Sequence, residues 1–363
     1  MIRPTAGSAL RATSQKSFGR QSFGRRGFLT GLGALGMALA VPGCAKEDSK
    51  PSPAGATGSV DRVIEHAYGK TTVPKDPKRI VALGQTDIDV LVALGVPPVA
   101  VGVFSGDWYS PLHPWNKAAF PKNPDFLDFE EYSIEKILAL KPDLITGVMG
   151  GMTKKEYDKL SSICPVVAQP KGFTDWNAPL EQQTRMLATA LGREDKGKTL
   201  VDGVAGQVKA AVAANPGFAG LTVAIAECWG DTFKVIGPAT PRSKFFTNLG
   251  FKSLPELDAL VGTAYSADIS SEKLSLIGAA DLVLWTTDGG QVEALKKNPV
   301  VSGLKSTKEG RSLWSTGMKV DSAFWSMDWG TVLSLPYAIE HVIPQIKAAI
   351  DGNTSTKVEN FSS

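Results

Sequence analysis

The sequence predicts an α/β protein of two lobes joined by a single long helix. Three observations carry this expectation: short β-branched runs alternate with helix-like segments in two separate regions, a proline-free helical pattern lies between them, and each region contains a similar segment. Strands that alternate with helices favour a parallel sheet covered by helices. The predicted lobes are residues 60–193 and 216–345.

Short apolar runs mark the strands of both lobes. Helix-like segments at 88–94 and 134–140 separate those of the first lobe. The runs are RIVAL (79–83), PVAVGV (98–103), DLITGV (143–148) and PVVA (165–168) in the first lobe, then TVAIAEC (222–228), DLVLWT (281–286) and RSLWST (311–316) in the second. Runs of this length with β-branched residues are typical of buried strands.

Residues 194–215 predict the helix between the lobes. No proline occurs from Glu194 to Ala214, and apolar residues recur there at helical spacing, at Val201, Val204, Val208, Ala211 and Val212. Asn215-Pro216-Gly217 ends the pattern. At about 1.5 Å per residue such a helix is roughly 30 Å long, enough to connect two lobes. An ordinary helix within one lobe is the alternative.

Two segments repeat in the same order in both lobes. SIEKILALKPDLI begins at Ser133 and SSEKLSLIGAADLV begins at Ser270, and both lead through a helix into a strand. Leu94-Gly95-Val96 and Leu249-Gly250-Phe251 also correspond, each predicting a helix that ends at a glycine before a β segment. We interpret the repeats as two copies of one lobe plan.

The first 43 residues predict an export signal. They contain six basic and no acidic residues, and an uncharged stretch runs from Gly27 to Gly43. Arg25-Arg26-Gly27-Phe28-Leu29 resembles a twin-arginine signal, and Val41-Pro42-Gly43-Cys44 resembles a bacterial lipobox with Cys44 as the lipidated residue. A plain anchor helix is the alternative.

Low-complexity segments flank the predicted lobes. Residues 44–59 are rich in Lys, Ser, Pro, Gly and Ala and predict a flexible tether, and residues 346–363 predict a loose tail. Removing the six basic residues of the signal from the total of 39 leaves 33 against 36 acidic residues, so the net charge changes from +3 to −3. The basic excess therefore gives no support for nucleic-acid binding.

Over residues 60–345 the chain resembles the substrate-binding proteins of bacterial iron–siderophore ABC transporters. The resemblance is carried by KRIVALGQTDIDVLVALGVPPVAVG, YSIEKILALKPDLITG and SSEKLSLIGAADLVLW. It implies two Rossmann-like lobes bridged by one rigid helix, a ligand cleft between them, and a ferric siderophore and an ABC permease as partners. Together with the lipobox, it leads us to expect a monomer outside the cytoplasmic membrane, held there through a lipid anchor only, with no catalytic activity and no resident cofactor.

Loops at the carboxyl ends of the predicted strands are the expected ligand site, because open α/β sheets bind ligands there. These loops are rich in aromatic residues, which provide the broad apolar faces that a bulky chelate needs. Arg242 adds a bidentate donor for ligand oxygens. The predicted ligand-binding residues are Trp108, Tyr109, Glu130, Met149, Trp229, Arg242, Trp285 and Trp325. Alternatively, Trp229 and Trp285 belong to a core, and Arg242 caps a helix or pairs with an acid.

Histidine and cysteine usage argues against a metal site in the protein itself. His66, His113 and His341 are far apart in the sequence, so direct capture of a free metal ion is not expected. Haem remains an alternative ligand, with Tyr109, His113 or Met149 as axial ligands. Cys164 and Cys228 show no metal-type spacing and are expected to be free thiols.

Glu135 and Glu272 occupy corresponding positions in the repeated segments. In the family that the chain resembles, a glutamate at this place in each lobe docks onto arginines of the permease. The alternative is a favourable interaction of each carboxylate with a helix N-terminus.

Two other classes of protein fit less well. An exported enzyme is disfavoured because the sequence has no Gly-x-Ser-x-Gly, His-Glu-x-x-His or phosphate-binding loop; Ser-x-x-Lys occurs at 270–273 and 302–305 without its usual companion motifs. A purely structural or adhesive lipoprotein would not need the clustered aromatic loops.

Overall fold

The computed structural model describes residues 61–103, 110–128, 132–173, 178–287, 291–315 and 322–358. They form an α/β structure of two lobes, as predicted, and each lobe contains a five-stranded sheet. The first lobe contains β1 (Arg62–His66), β2 (Gly69–Val73), β3 (Ile80–Ala82), α1 (Asp87–Leu94), β4 (Ala100–Val103), β5 (Asp125–Asp128), α2 (Ile134–Ala139), β6 (Leu144–Thr146), α3 (Lys154–Ser161), β7 (Val166–Val167) and α4 (Leu180–Leu191).

The sheet of the first lobe is parallel throughout and has the strand order β5-β4-β3-β6-β7. The central strands β3 and β6 are buried along their whole length, which explains why they appear as continuous apolar runs. β1 and β2 form a separate antiparallel hairpin that the apolar runs did not predict. It is attached to the lobe by the bond from the Ala67 amide to the Gln169 carbonyl (2.9 Å).

The predicted connecting helix is confirmed as α5 (Glu194–Ala214). It packs against α4 of the first lobe and against the last long helix of the second. Within the predicted apolar stripe, Val204 and Ala211 are buried, whereas Val212 is 38% exposed. One side of α5 therefore remains open.

The second lobe contains β8 (Val223–Trp229), β9 (Thr232–Ile236), α6 (Pro241–Asn248), α7 (Pro255–Val261), β10 (Ser266–Ile269), α8 (Leu274–Gly278), β11 (Leu282–Thr287), α9 (Val292–Lys297), α10 (Pro299–Gly303), α11 (Lys305–Lys308), β12 (Ser312–Ser315), α12 (Ser322–Trp329) and α13 (Ser334–Ile350). Its sheet has the order β10-β9-β8-β11-β12, which repeats that of the first lobe position by position. This order agrees with our interpretation of the two lobes as copies of one plan.

The expectation of a fully parallel second sheet is wrong at β9. β9 pairs antiparallel with both β8 and β10, because β8 turns back directly through Gly230 and Asp231. In the first lobe, the corresponding strand β4 is reached through helix α1 and is parallel. A two-residue hairpin connection necessarily reverses the chain, whereas a helical crossover preserves its direction.

Local signals mark helix ends in the segments that repeat between the lobes: serines precede α2 and α8, and glycines follow α1 and α6. The Ser133 side chain accepts a hydrogen bond from the Lys136 amide (3.2 Å) and caps α2, whereas Ser270 makes no side-chain cap bond. Gly95 and Gly250 have φ angles of +84° and +102°, a region that glycine adopts without steric cost.

The C-terminal prediction was wrong in its boundary. α13 continues five residues beyond 345, and Ile346 and Ala349 are buried in the core of the second lobe. Val358 also packs against this core. Burial of these apolar side chains holds a segment that composition alone suggested to be loose.

The predicted signal and tether, including Arg25, Arg26 and Cys44, lie outside the described residues. Within the described ranges, no helix combines the length and the apolar character needed to cross a bilayer.

Candidate functional site

The candidate site lies where strands of both lobes end. β4, β5, β11 and β12 run directly into residues 104–109, 129–131, 288–290 and 316–321, which lie outside the described part of the chain. The predicted site residues Trp108, Tyr109 and Glu130 belong to these stretches. The described part of the site follows β3 and β6 in the first lobe and involves β8, β11, α6 and α12 in the second.

A buried carboxylate organises the strand ends of the first lobe. Asp87 accepts hydrogen bonds from the Val148 amide (3.0 Å) and the Met149 amide (3.2 Å). The Gln85 amide donates to the Met149 carbonyl (3.1 Å), which joins the turn after β3 to the turn after β6. Burial is the main cause of the raised pKa of Asp87, and these bonds partly oppose it.

Arg242 lies at the centre of the second lobe's part of the site. Its side chain is 1% exposed, at the start of α6. Nε and Nη2 donate to Asp328 Oδ1 (3.3 and 3.1 Å), and Nη1 donates to Glu227 Oε1 (3.2 Å). The remaining contacts are long ones, from Nη1 to Thr286 Oγ1 and from Nη2 to Tyr265 OH, both 3.5 Å.

These five contacts use all five donors of a guanidinium. The flat face of the Arg242 guanidinium is also covered, because its central carbon lies 4.0 Å from the centre of the Phe324 ring. Burial disfavours the charged guanidinium, but the negative groups Asp328 and Glu227 raise its pKa above the ordinary value. The structure therefore favours the alternative in which Arg242 pairs with acids over a direct bidentate contact with a ligand.

The two acids are the more accessible members of this cluster. The side chains of Glu227 and Asp328 are 13% and 15% exposed. Trp229, at the end of β8, donates from Nε1 to Glu227 Oε2 (3.0 Å), so both oxygens of Glu227 are bonded. Trp229 and Arg242, both predicted site residues, are thus brought together through Glu227, which was not predicted.

Trp285 does not belong to this group. Its side chain is completely buried on the opposite face of β11, stacked on Trp314 (6.2 Å between ring centres) and edge-on to Phe233 (6.3 Å). Strand alternation explains this position, since Thr286, the next residue, points to the Arg242 side. The structure favours the core interpretation for Trp285.

A second buried charge joins the two lobes. Asp89 on α1 accepts hydrogen bonds from Asn116 Nδ2 (2.7 Å) and Trp115 Nε1 (2.9 Å) of its own lobe. It also accepts one from Thr331 Oγ1 (2.6 Å), between α12 and α13 of the second lobe. Burial raises the pKa of Asp89 to about 6, although these three bonds act in the opposite direction.

An aromatic cluster surrounds this contact. His113 stacks on Trp115 (4.5 Å between ring centres) and meets Trp329 edge-on at 5.9 Å. Trp325 packs on Trp329 (4.6 Å) and on Phe324 (5.2 Å), the ring that covers Arg242. Trp325, predicted as a ligand contact, is only 8% exposed and forms part of this inter-lobe packing.

Metal and haem binding find little support in the described residues. They contain no group of three or more His, Cys, Asp or Glu side chains that could hold a metal ion. His113 and Met149, two candidates for haem ligation, are 1% and 4% exposed and are enclosed by protein. Burial lowers the pKa of His113 to about 3, so its imidazole is neutral at physiological pH.

The two remaining cysteines lie in different lobes and are free. Cys228 is buried and Cys164 is half-buried. Burial, followed by the nearby charge of Asp143, raises the pKa of Cys164 to about 11, which disfavours a reactive thiolate.

A groove of about 770 Å³ runs along α5 at a different place. Its lining includes Val201, Val208, Phe245, Leu335 and Ile339, but neither Trp229 nor Arg242. The groove explains the open side of α5, and it shares Trp329 with the inter-lobe aromatic cluster.

Sequence reasoning missed Glu227, Asp328, Tyr265, Phe324 and Asp89. A usable signal existed for some of them: Glu227 and Trp229 are two apart on a strand, and Phe324 and Asp328 are four apart on a helix, spacings that place side chains on one face. An acid within an apolar segment, such as Asp89 in DIDVLVAL, was a further signal.

Comparison with known proteins adds a family match. The model of the family described as "Periplasmic binding protein" matches residues 80–312. The chain is 34% identical over 170 residues to the probable siderophore-binding lipoprotein YfiY of Bacillus subtilis, a match that spans 46% of this chain and 49% of that protein. It is 26% identical over 277 residues to the Fe(3+)-citrate-binding protein YfmC of B. subtilis, spanning 75% and 84% of the two chains.

A solved structure shows the same fold. The periplasmic solute binding protein from Mycobacterium smegmatis superposes with a TM-score of 0.71 at 26% sequence identity. The superposition covers 80% of this chain and 99% of that protein. Both lobes therefore have a counterpart in an experimentally determined relative.

Proposed function

The chain belongs to the periplasmic binding protein family, and we propose that it captures a ferric siderophore outside the cytoplasm and delivers it to an ABC permease. One observation carries the proposal: α1, the helix that follows β3 in the first lobe, contacts the segment between α12 and α13 of the second lobe through Asp89 and Thr331. The contact supports a cleft between the lobes, beside the strand ends at which such sheets bind ligands. The names of the B. subtilis relatives indicate iron chelates as the ligand class.

Within this cleft we assign the aromatic contact surface to Trp229 and, in the stretch of sequence that follows β4, to Trp108 and Tyr109. Trp229 is partly exposed at the end of β8, and its indole N–H is held by Glu227. Large rigid rings present apolar area to a bulky ligand at a low cost in conformational entropy. Glu130 and Met149 remain weaker candidates, and Arg242 acts by holding the two acids in place.

Binding is tested by tryptophan fluorescence titration of the full mature chain with ferric hydroxamate, ferric catecholate, ferric citrate and haem. We expect saturable quenching by at least one ferric chelate. Trp229→Phe should weaken that binding severalfold, whereas Trp285→Phe, in the core, should leave the dissociation constant unchanged when the variant is folded. Saturable binding of haem without binding of any chelate would overturn the siderophore assignment.

Permease docking is assigned to Glu135 and Glu272. Both side chains lie on the surface, Glu135 in the first turn of α2 and Glu272 in the short 3₁₀ turn before α8. They occupy corresponding positions in the two lobes, as expected for a protein that binds across two permease subunits. Exposed carboxylates of this kind pair well with arginine.

The double variant Glu135→Ala/Glu272→Ala tests docking directly. It should abolish chelate uptake by cells while the dissociation constant of the purified protein stays unchanged. Glu256→Ala is a matched control, because Glu256 is also an exposed acid in the first turn of a helix, α7. Loss of chelate affinity in the double variant would contradict the docking role.

Export and anchoring rest on the sequence of residues 25–44. We propose that Arg25 and Arg26 direct export and that Cys44 becomes the lipidated N-terminus of a monomeric receptor at the outer face of the cytoplasmic membrane. Mass spectrometry of the mature protein should find a diacylglyceryl-modified Cys44. An unmodified Cys44 behind an intact residue 25–43 segment would show an anchor helix instead.

A further inference from the structure

The second lobe presents negative charge at the strand ends. Arg242 is the cation of the central cluster, but its guanidinium is sealed from solvent and its five donors are taken up within the protein. Glu227 and Asp328, in contrast, are partly exposed. The formal charge of these three groups is −1, and the negative members are the ones that a ligand can reach.

Asp328 has an unused acceptor. Its Oδ1 accepts from Arg242 Nε and Nη2 and from the Tyr265 hydroxyl (3.3 Å). Oδ2 accepts no hydrogen bond from any residue that the structure describes, and it is not sealed off, since the side chain retains 15% of its exposure. A carboxylate oxygen with open lone pairs favours a partner that donates a hydrogen bond, and a cationic donor most of all.

The other charged groups on the surrounding described elements do not reverse this sign. Lys234 on β9 is already paired with Asp268 on β10 (2.6 Å). Asp231, in the turn between β8 and β9, adds another negative charge beside Trp229. Lys244, on α6, lines the groove along α5 instead of the strand-end site.

We propose that the bound ferric siderophore is an electrically neutral or positively charged complex, and that Asp328 accepts a hydrogen bond from an N–H or ammonium group of that ligand. A trishydroxamate complex with a pendant amine has this chemistry, whereas tricatecholate and citrate complexes carry several negative charges. A highly anionic complex would meet two carboxylates whose compensating cation is buried beneath them. This inference rests on the proposed siderophore function and narrows its ligand class.

The test uses a series of chelates that share one iron-binding core and differ in the charge of the pendant group. Ferrioxamine B carries one positive charge, its N-acetyl derivative is neutral, and its N-succinyl derivative carries one negative charge. Titrated by tryptophan fluorescence into the full mature protein, the dissociation constants should increase in that order, by about tenfold from the first to the last. The difference should shrink at high salt, since exposed charges are screened.

The variant Asp328→Asn keeps an oxygen for Arg242 but removes the charge, and it should reduce the discrimination from about tenfold to about twofold. Asp158→Asn, at an exposed acid paired with Lys154 on α3, is the matched control and should preserve the discrimination. If Asp328→Asn does not fold, the charge series on the unmodified protein decides the question alone.

The outcomes distinguish a failure of the proposed charge preference from a failure of the proposed siderophore function. Equal or reversed affinities in the charge series, or tight binding of ferric citrate or ferric enterobactin with no binding of the hydroxamates, would overturn the charge preference and leave siderophore capture intact. Unchanged discrimination in Asp328→Asn would overturn the role of Asp328. Binding of no chelate at all would overturn the proposed function itself.

Discussion

Two buried charges in this protein are stabilised in opposite ways. Arg242 is surrounded by the carboxylates of Glu227 and Asp328, and its pKa is raised above the ordinary value. Asp89 is surrounded by neutral donors, one of them from the other lobe, and its pKa rises to about 6. The first charge is compensated by opposite charge, and the second only by hydrogen bonds.

The difference indicates different roles. The raised pKa of Arg242 keeps its guanidinium charged, so the first cluster contains a permanent cation beneath two carboxylates that a ligand can reach. An uncompensated carboxylate costs free energy when ionised, and it is retained at a contact between lobes where its three acceptor bonds specify one arrangement.

Arg242→Met should have the largest effect. It removes the buried cation and leaves the partly exposed carboxylates of Glu227 and Asp328 without it; breaking a buried pair costs about 3–5 kcal/mol. Urea unfolding should show this loss at pH 7. The triple variant with Glu227→Gln and Asp328→Asn should recover most of it; a loss below about 1 kcal/mol in the single variant would contradict the compensated cluster.

Because of His113, the unfolding free energy of the wild type should fall by about 3 kcal/mol between pH 7 and pH 4, and His113→Phe should remove this loss. The pKa of His113 is about 3 in the folded state, against 6.5 for a freely solvated histidine, so the unfolded chain binds more protons and stability falls as pH falls through this window. Among the described residues neither ring nitrogen has a hydrogen-bond partner, so phenylalanine sacrifices no bond. Equal pH slopes for the two proteins would show that His113 is not enclosed.

Asp89 should make the unfolding free energy of the wild type fall by about 2 kcal/mol as pH rises from 4 to 7, opposite in sign to the effect of His113, and Asp89→Asn should remove this fall. The folded-state pKa of about 6 lies above the value of 3.8 for a free side chain, so the folded state binds more protons and the wild type loses stability as pH rises through this window. Asp89→Asn lacks this loss, but its unfolding free energy is lower by a constant amount, because an N–H of the new amide now faces one of the donors that Asp89 accepts from.

The quantity to measure for Asp89→Asn is the difference in unfolding free energy from the wild type as a function of pH, since the contribution of His113 cancels in that difference. In the wild type itself the two contributions largely offset each other. A difference that does not change between pH 4 and 7 would contradict the raised pKa of Asp89.

Thr331→Val should have the smallest effect, a loss of about 1 kcal/mol. It removes the inter-lobe bond to Asp89 and also the acceptor for the Ser334 amide (2.9 Å) at the start of α13. Thr331→Ser keeps the hydroxyl and is the matched control. Equal thermal stability of Thr331→Val and Thr331→Ser would show that the inter-lobe bond contributes nothing.

Part of the site could be predicted from sequence. The rule that ligands bind at strand carboxyl ends led to Trp229 and Arg242, and the structure brings both side chains into contact with Glu227 of β8. It could not assign Trp285 to the other face, because a continuous apolar run such as LVLWTT does not reveal which alternate residues face which layer. It also could not show that the donors of Arg242 were already used.

The sequence by itself determined the two α/β lobes and the helix from Glu194 to Ala214, because periodicity and helix-ending residues are local signals. Only the tertiary structure decided which charges meet. Arg242 and Asp328 are 86 residues apart, and Asp89 and Thr331 are 242 apart. Contacts over such separations depend on how whole lobes pack, and no local pattern in the chain encodes them.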